Sequence, residues 1–163
     1  MLPETTLQRL NTQLDAVDLL LKGVTASALT FRSQPNQWSA HENLAHVARH
    51  HQVFLDRLRR IQTEENPELG RYRAEDDPEW PLWASLPTDE VWGRLRLLRT
   101  QLIKSIGRSS DQDLERTGVH PLFGEMNLAQ WLEFFLLHEA HHLYLVVLRL
   151  GQAEQALELS GEK

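Results

Sequence analysis

Two pairs of histidines at helical spacing are the residues of this chain best suited to chemistry. His46 and His50 stand four apart, as do His138 and His142. Residues four apart on a helix carry Cβ atoms about 5–6 Å from each other, so two imidazoles can grip one metal ion at Zn–N distances of about 2.0–2.1 Å. Seven of the eight histidines fall within 41–51 and 138–142, and the chain has no cysteine. Disulfides, thiolate metal sites and a cysteine nucleophile are therefore excluded. A lone inward histidine is ordinarily a hydrogen-bonded core residue; two inward pairs on different helices point to a metal site. The plain alternative is a bundle whose histidines satisfy only one another. His41, His51, His120 and His141 read as surface or supporting residues.

His138-Glu139-Ala140-His141-His142 also satisfies the H-E-x-x-H pattern of zinc metallopeptidases, with Glu139 as the would-be general base. The extended form of that pattern needs glycine at 145 and histidine at 148, where this chain has Leu145 and Leu148. Glu154 and Glu158 are candidate downstream ligands, but no strand precedes the motif to hold a peptide. The peptidase reading is set aside on those grounds.

Four helical segments must position these residues. Leu7, Leu10, Leu14, Val17, Leu20 and Leu21 recur at three and four residues, predicting helix one from Pro3 to Ser27. Ser39 and Glu42 form a Ser-x-x-Glu capping box that opens helix two, over 40–63. Residues 62–87 lose the helical period and hold four of the seven prolines, predicting a long functional connection in which Trp80 and Trp83 are packed down. Thr88 is expected to cap helix three, whose buried face is Leu95, Leu98, Leu102 and Ile106 before Gly107. Residues 111–125 read as a polar loop. Asn127 caps helix four, which is expected to stop at Gly151 and leave 152–163 frayed. Trp131, Phe135, His138, His142, Leu145 and Arg149 form one heptad seam on it, turning both histidines inward. The economical fold is an all-α antiparallel four-helix bundle with a long loop between helices two and three, built as a single domain over 1–163.

Composition narrows the partners. An apolar share of 41% and a charged share of 25% suit a soluble fold. A net charge of −6 argues against nucleic acid or an anionic membrane. The longest apolar run, 143–148, is far below the ~20 residues of a membrane span. The first residues do not read as a secretory signal, so the expected compartment is the cytoplasm.

Three motifs in order resemble one family. Trp38-Ser39-Ala40-His41-Glu42-Asn43-Leu44-Ala45-His46 resembles the W-S-x-x-E-x-x-x-H opening of helix two in the DinB-like (damage-inducible) superfamily. Gly118-Val119-His120-Pro121-Leu122-Phe123-Gly124 resembles its G-x-H-P-x-x-G loop, and 138–142 resembles the H-x-x-H-H of its last helix, including in the bacillithiol S-transferase branch. The resemblance implies a four-helix metalloprotein whose zinc or nickel ligands correspond to His46, His138 and His142. His50 has no ligand counterpart in the family pattern and is the runner-up ligand. Activities in that family imply a low-molecular-weight thiol cosubstrate, such as bacillithiol or mycothiol, and a small-molecule electrophile.

Three histidines leave a metal at least one open position, as in catalytic sites. The expected function is a metal-dependent thiol S-transferase or hydrolase acting on a small molecule; the alternative is a non-catalytic metal-binding stress-response bundle. Glu42 and Glu139 are the candidates for proton transfer, with capping the plainer role of Glu42. Trp38, Trp131 and Phe135 are candidates for the pocket wall. Uncovered apolar surface on so small a bundle leads to the expectation of a homodimer.

Overall fold

The structure is a computed structural model that describes residues 1–160. Its helices are α1 (Glu4–Thr12), α2 (Asp15–Leu21), α3 (Ala26–Thr30), α4 (Ala40–Thr63), α5 (Trp80–Ser85), α6 (Thr88–Ile106), α7 (Asp111–Glu115) and α8 (Leu128–Ser160). A hairpin of β1 (Thr117–His120) and β2 (Gly124–Asn127) precedes α8. The three long helices α4, α6 and α8 form the body of a four-helix bundle, with α4 packed on both others, and α1 and α2 take the place of the first helix.

That first helix is broken where one continuous helix was expected. Asn11 and Thr12 turn their side chains back to the carbonyls of Leu7 and Gln8, at 2.7 and 2.9 Å, at the end of α1. Such bonds compete with helix propagation. Gly23 (φ +75°), in the left-handed region, lies just beyond α2, and Thr25 then caps α3. Leu10, Leu14 and Val17 are buried as the period requires, while Leu7 is exposed.

The Ser39 capping box is complete: the Ser39 hydroxyl accepts from the Glu42 N–H at 3.1 Å, and the Ser39 N–H donates to the Glu42 carboxylate at 2.9 Å. Asn127 and Gln130 cap α8 reciprocally, each side chain accepting the other's N–H at 2.9 Å. Thr88 does not cap α6. The cap position is Pro87, and the Thr88 hydroxyl instead lies 2.9 Å from His41 Nδ1.

Helix α8 runs past Gly151 to Ser160, so the expected stop is absent. One glycine costs a helix about 1 kcal/mol, and the following Gln-Ala-Glu-Gln-Ala-Leu-Glu sequence favours helix strongly. Ala153, fully buried, holds this turn against the fold. Of the tail that the sequence leaves frayed, residues 161–163 lie outside the described residues.

Residues 111–125 are more ordered than a polar loop. Ser110 and Asp113 cap α7, and the hairpin pairs Thr117 with Asn127 through His120 with Gly124. Gly124 turns the hairpin at φ +72°. Gly118 is required for close approach: a Cβ there would meet Ile61 Cγ1 and Leu69 Cδ1, each at 3.0 Å. The connection after α4 pairs alongside β1, with Leu69 N–H donating to the Val119 carbonyl and Val119 N–H to that of Pro67, both at 2.9 Å. Further on, Arg49 holds Asp77 at 2.6 Å, and Trp83 of α5 is buried. The connection is packed down, as its tryptophans predict.

The core is divided. One apolar cluster holds Leu10, Phe54, Leu58, Leu102, Trp131 and Phe135; the other holds Val17, Leu44, Val47, Leu95, Leu143 and Val146. Polar residues stand where the two clusters meet: Gln13, His50 and His51, Arg99, and His138, Glu139 and His142. A polar layer crosses the bundle.

Candidate metal centre

His46 and His50 sit on consecutive turns of α4, and His138 and His142 on consecutive turns of α8, which packs against it. His46, His138 and His142 each offer a ring nitrogen, and the three nitrogens lie within 4.8 Å of one another. Nε2 of His46 is 3.2 Å from Nε2 of His138. Two ligands of one tetrahedral zinc are about 3.3 Å apart when each Zn–N bond is about 2.0–2.1 Å. Among the described residues the Nδ1 atoms of His46 and His138 are buried without a hydrogen-bond partner, which leaves the facing Nε2 atoms as the polar outlet of both rings.

Burial, followed by the neighbouring His138, pushes His46 down to about 3. Burial, then His141 and Arg57, lowers His138 to about 4. Burial, then His46 and His138, lowers His142 to about 2. All three rings are neutral at pH 7, the form that coordinates metal.

Asn43, one turn before His46, decides the tautomer of His142. Its amide Nδ2 donates to the Ser39 carbonyl at 2.8 Å, which leaves Oδ1 to accept from His142 Nδ1 at 2.9 Å. His142 therefore carries its proton on Nδ1 and presents a bare Nε2 lone pair, the usual arrangement for an imidazole ligand. The sequence reading assigned Asn43 no role, although its spacing of three and seven from His46 and His50 places it on their stripe.

His50 lies beside the cluster and outside the set of three. Its ring is fully buried, 4.0 Å from that of His138 and stacked at 5.8 Å on Phe135. Trp38 covers the other side, 4.9 Å from His46 and 6.1 Å from His142. Trp80 and Tyr72, from the long connection, complete this wall at 6.1 and 5.6 Å from His46. Neither was named for the centre from sequence; the signal was two tryptophans in a proline-rich connection. Trp131 does not line the centre, because it is buried in the adjoining apolar cluster and donates to the Gly118 carbonyl at 3.1 Å.

Neither carboxylate candidate points at the cluster. Glu42 is held by Ser39 and by an ion pair with Arg32. Burial would raise its carboxyl, but hydrogen bonds from Arg32 and Ser39 outweigh that and hold it low. Glu139 takes the guanidinium of Arg99 and the N–H of Gln13 Nε2 at 2.7 Å, and it lies 3.1 Å from His51 Nε2. His51 and Arg99 hold its carboxyl down against the opposing effect of burial. These partners come from α4, α6 and the junction of α1 and α2, so Glu139 ties the bundle together and is not placed as a peptidase base. His41 is likewise a buried support, its Nε2 donating to the Ala84 carbonyl at 3.0 Å, and His120 is buried beside Phe123. His141 is exposed.

The sequence pattern of the DinB superfamily matches residues 9–146. The chain belongs to the DinB superfamily. The protein YuaE of Bacillus subtilis strain 168 is 25% identical over 135 residues, 76% of this chain and 83% of YuaE. Proteins named "Putative metal-dependent hydrolase" in Bacillus mycoides strain KBAB4 and Bacillus anthracis strain A0248 are 30% identical over 105 residues. That match covers 64% of this chain and spans 60% of those relatives' length. The solved structure of TT2238, described as a four-helix bundle protein, superposes with a TM-score of 0.64 at 26% identity, covering 88% of this chain and 96% of that one. YfiT from Bacillus subtilis, described as "a probable metal-dependent hydrolase with an unusual four-helix bundle topology", gives a TM-score of 0.74 at 16% identity, covering 95% and 87%. The YfiT likeness shows the fold alone. The four-helix bundle expected from sequence is the fold of this DinB-superfamily chain.

Proposed function

We propose that this chain is a metal-dependent enzyme that acts on a small molecule through His46, His138 and His142, transferring a low-molecular-weight thiol or, alternatively, hydrolysing its substrate. The observation that carries the reading is the convergence of three neutral imidazole nitrogens within 4.8 Å. When bound, a divalent metal such as zinc or nickel supplies Lewis acidity there and lowers the pKa of a water or thiol at its open position. The residues of the chain supply the rest. Asn43 fixes the ring of His142, while Trp38 and Trp80 keep water from one side of the centre. Glu42 and Glu139 are both engaged elsewhere, so a nucleophile that needs no protein base fits the site better than a base-dependent peptidase mechanism.

The names of the hydrolase relatives support metal dependence. The proposal places the protein in the cytoplasm as one domain over 1–163 and as a homodimer, with neither nucleic acid nor membrane as partner. No helix among the described residues is long and apolar enough to cross a membrane.

Elemental analysis of the purified protein, followed by assays with a panel of low-molecular-weight thiols and a chromogenic electrophile beside an ester substrate, tests the reading. One divalent metal per chain with turnover in either assay is the expected result. Bound metal without turnover supports the non-catalytic bundle, and no metal overturns the site.

A further inference from the structure

A cavity of about 270 Å³ adjoins the three-histidine cluster, with His138 in its wall. Its polar lining is strongly one-sided. Besides His138, the residues His50, Arg57, Arg71, Tyr72 and His120 face it, and no carboxylate does. In a chain of net charge −6, two guanidiniums at one cavity do not follow from overall composition.

Arg57 is the unusual group. Its side chain is buried, yet it forms no ion pair with an acid among the described residues. Its Nη2 donates to the Gly70 carbonyl at 2.6 Å, and its guanidinium lies 5.4 Å from the Trp131 ring. Burial lowers it only to about 10, so it is charged at neutral pH. A buried charge is expensive without a counter-ion. Arg71 is exposed at the rim and is likewise without an acidic partner among the described residues. Both guanidiniums are near enough to His120 to disfavour its protonation after burial has done so. His120 Nδ1 accepts the backbone N–H groups of Leu122 and Phe123, at 3.1 and 3.2 Å, so its neutral ring carries the proton on Nε2 as a donor. Phe123 and Phe134 supply apolar walls.

We propose that this cavity is an oxyanion pocket, in which Arg57, Arg71 and His120 bind the carboxylate or phosphate of a small molecule whose reactive end reaches the histidine cluster past His138. The second half of that statement rests on the metal-enzyme reading above; the pocket itself does not. The planar guanidinium fork matches carboxylate and phosphate alike, and charge-assisted hydrogen bonds are the strong ones. The substrate class is therefore an acidic small molecule with an apolar segment beside its anionic group.

Titration calorimetry on the full chain after chelator treatment tests the pocket, because an anion then has no metal to bind. The probes are benzoate, phenylphosphonate and the neutral benzamide. At least one anion should bind and benzamide should not, and Arg71→Gln should weaken that binding about tenfold or more. Arg71 is exposed, so the variant should keep its fold, as checked by circular dichroism. Binding of benzoate alone assigns a carboxylate, and binding of phenylphosphonate alone a phosphate. Equal binding of benzamide, no anion binding, or a folded Arg71→Gln variant with unchanged affinity overturns the pocket. Anion binding to a protein that purifies without metal upholds the pocket while removing the metal centre; metal without anion binding does the reverse.

Discussion

His138 and Glu139 are neighbours in the chain, yet they serve different sides of α8: His138 meets His46 at 3.2 Å, while Glu139 meets His51 at 3.1 Å and the guanidinium of Arg99. Successive helical residues diverge by about 100°, so one dipeptide supplies both a candidate metal ligand and the anchor of the polar layer. The motif that reads as a peptidase signature is thus split between two tasks.

The ligand assignment predicts unequal effects of two adjacent histidines. His142→Ala should purify without metal, while His141→Ala should keep its full content by elemental analysis, since His141 is exposed. Equal loss from both would remove the assignment.

Asn43→Ala should keep the three rings but lose the acceptor that fixes His142. Metal affinity should fall about 10–100-fold. Competition with a chromogenic chelator reads this directly, and an unchanged affinity would deny Asn43 its positioning role.

Glu139→Gln should act first on stability. Removing one partner of a buried ion pair costs about 3–5 kcal/mol, because the other charge is left uncompensated. Urea unfolding should show a clearly lowered midpoint. An unchanged midpoint together with loss of casein cleavage present in the wild type would restore the peptidase reading.

Gly118→Ala should destabilise the fold by about 1–3 kcal/mol through overpacking. The new Cβ meets Ile61 and Leu69 at 3.0 Å, in a strand closed in by its neighbours. A melting temperature equal to that of the wild type would show that the connection yields freely.

The expected homodimer has a candidate surface on α8, where Leu137, Tyr144 and Leu148 are exposed at spacings of seven and four. Light scattering should give twice the chain mass, and Tyr144→Glu should shift it toward the monomer. A monomer at high wild-type concentration would end that proposal.

The sequence alone specifies the long helices, their caps at Ser39 and Asn127, and the two inward histidine pairs. Those features rest on periodicity and on contacts three or four residues apart, which a linear pattern records. It misread the first helix and the end of α8, where side-chain competition at Asn11 and Thr12 and the burial of Ala153 outweigh local signals. Which histidines converge, where the carboxylates point and which acceptor orients His142 depend on how the helices pack. Helical spacing fixes the face a residue occupies but not what stands opposite. Glu139 is therefore a candidate base in the sequence and the centre of a buried ion network in the fold, because its partners Gln13, His51 and Arg99 arrive from three distant parts of the chain.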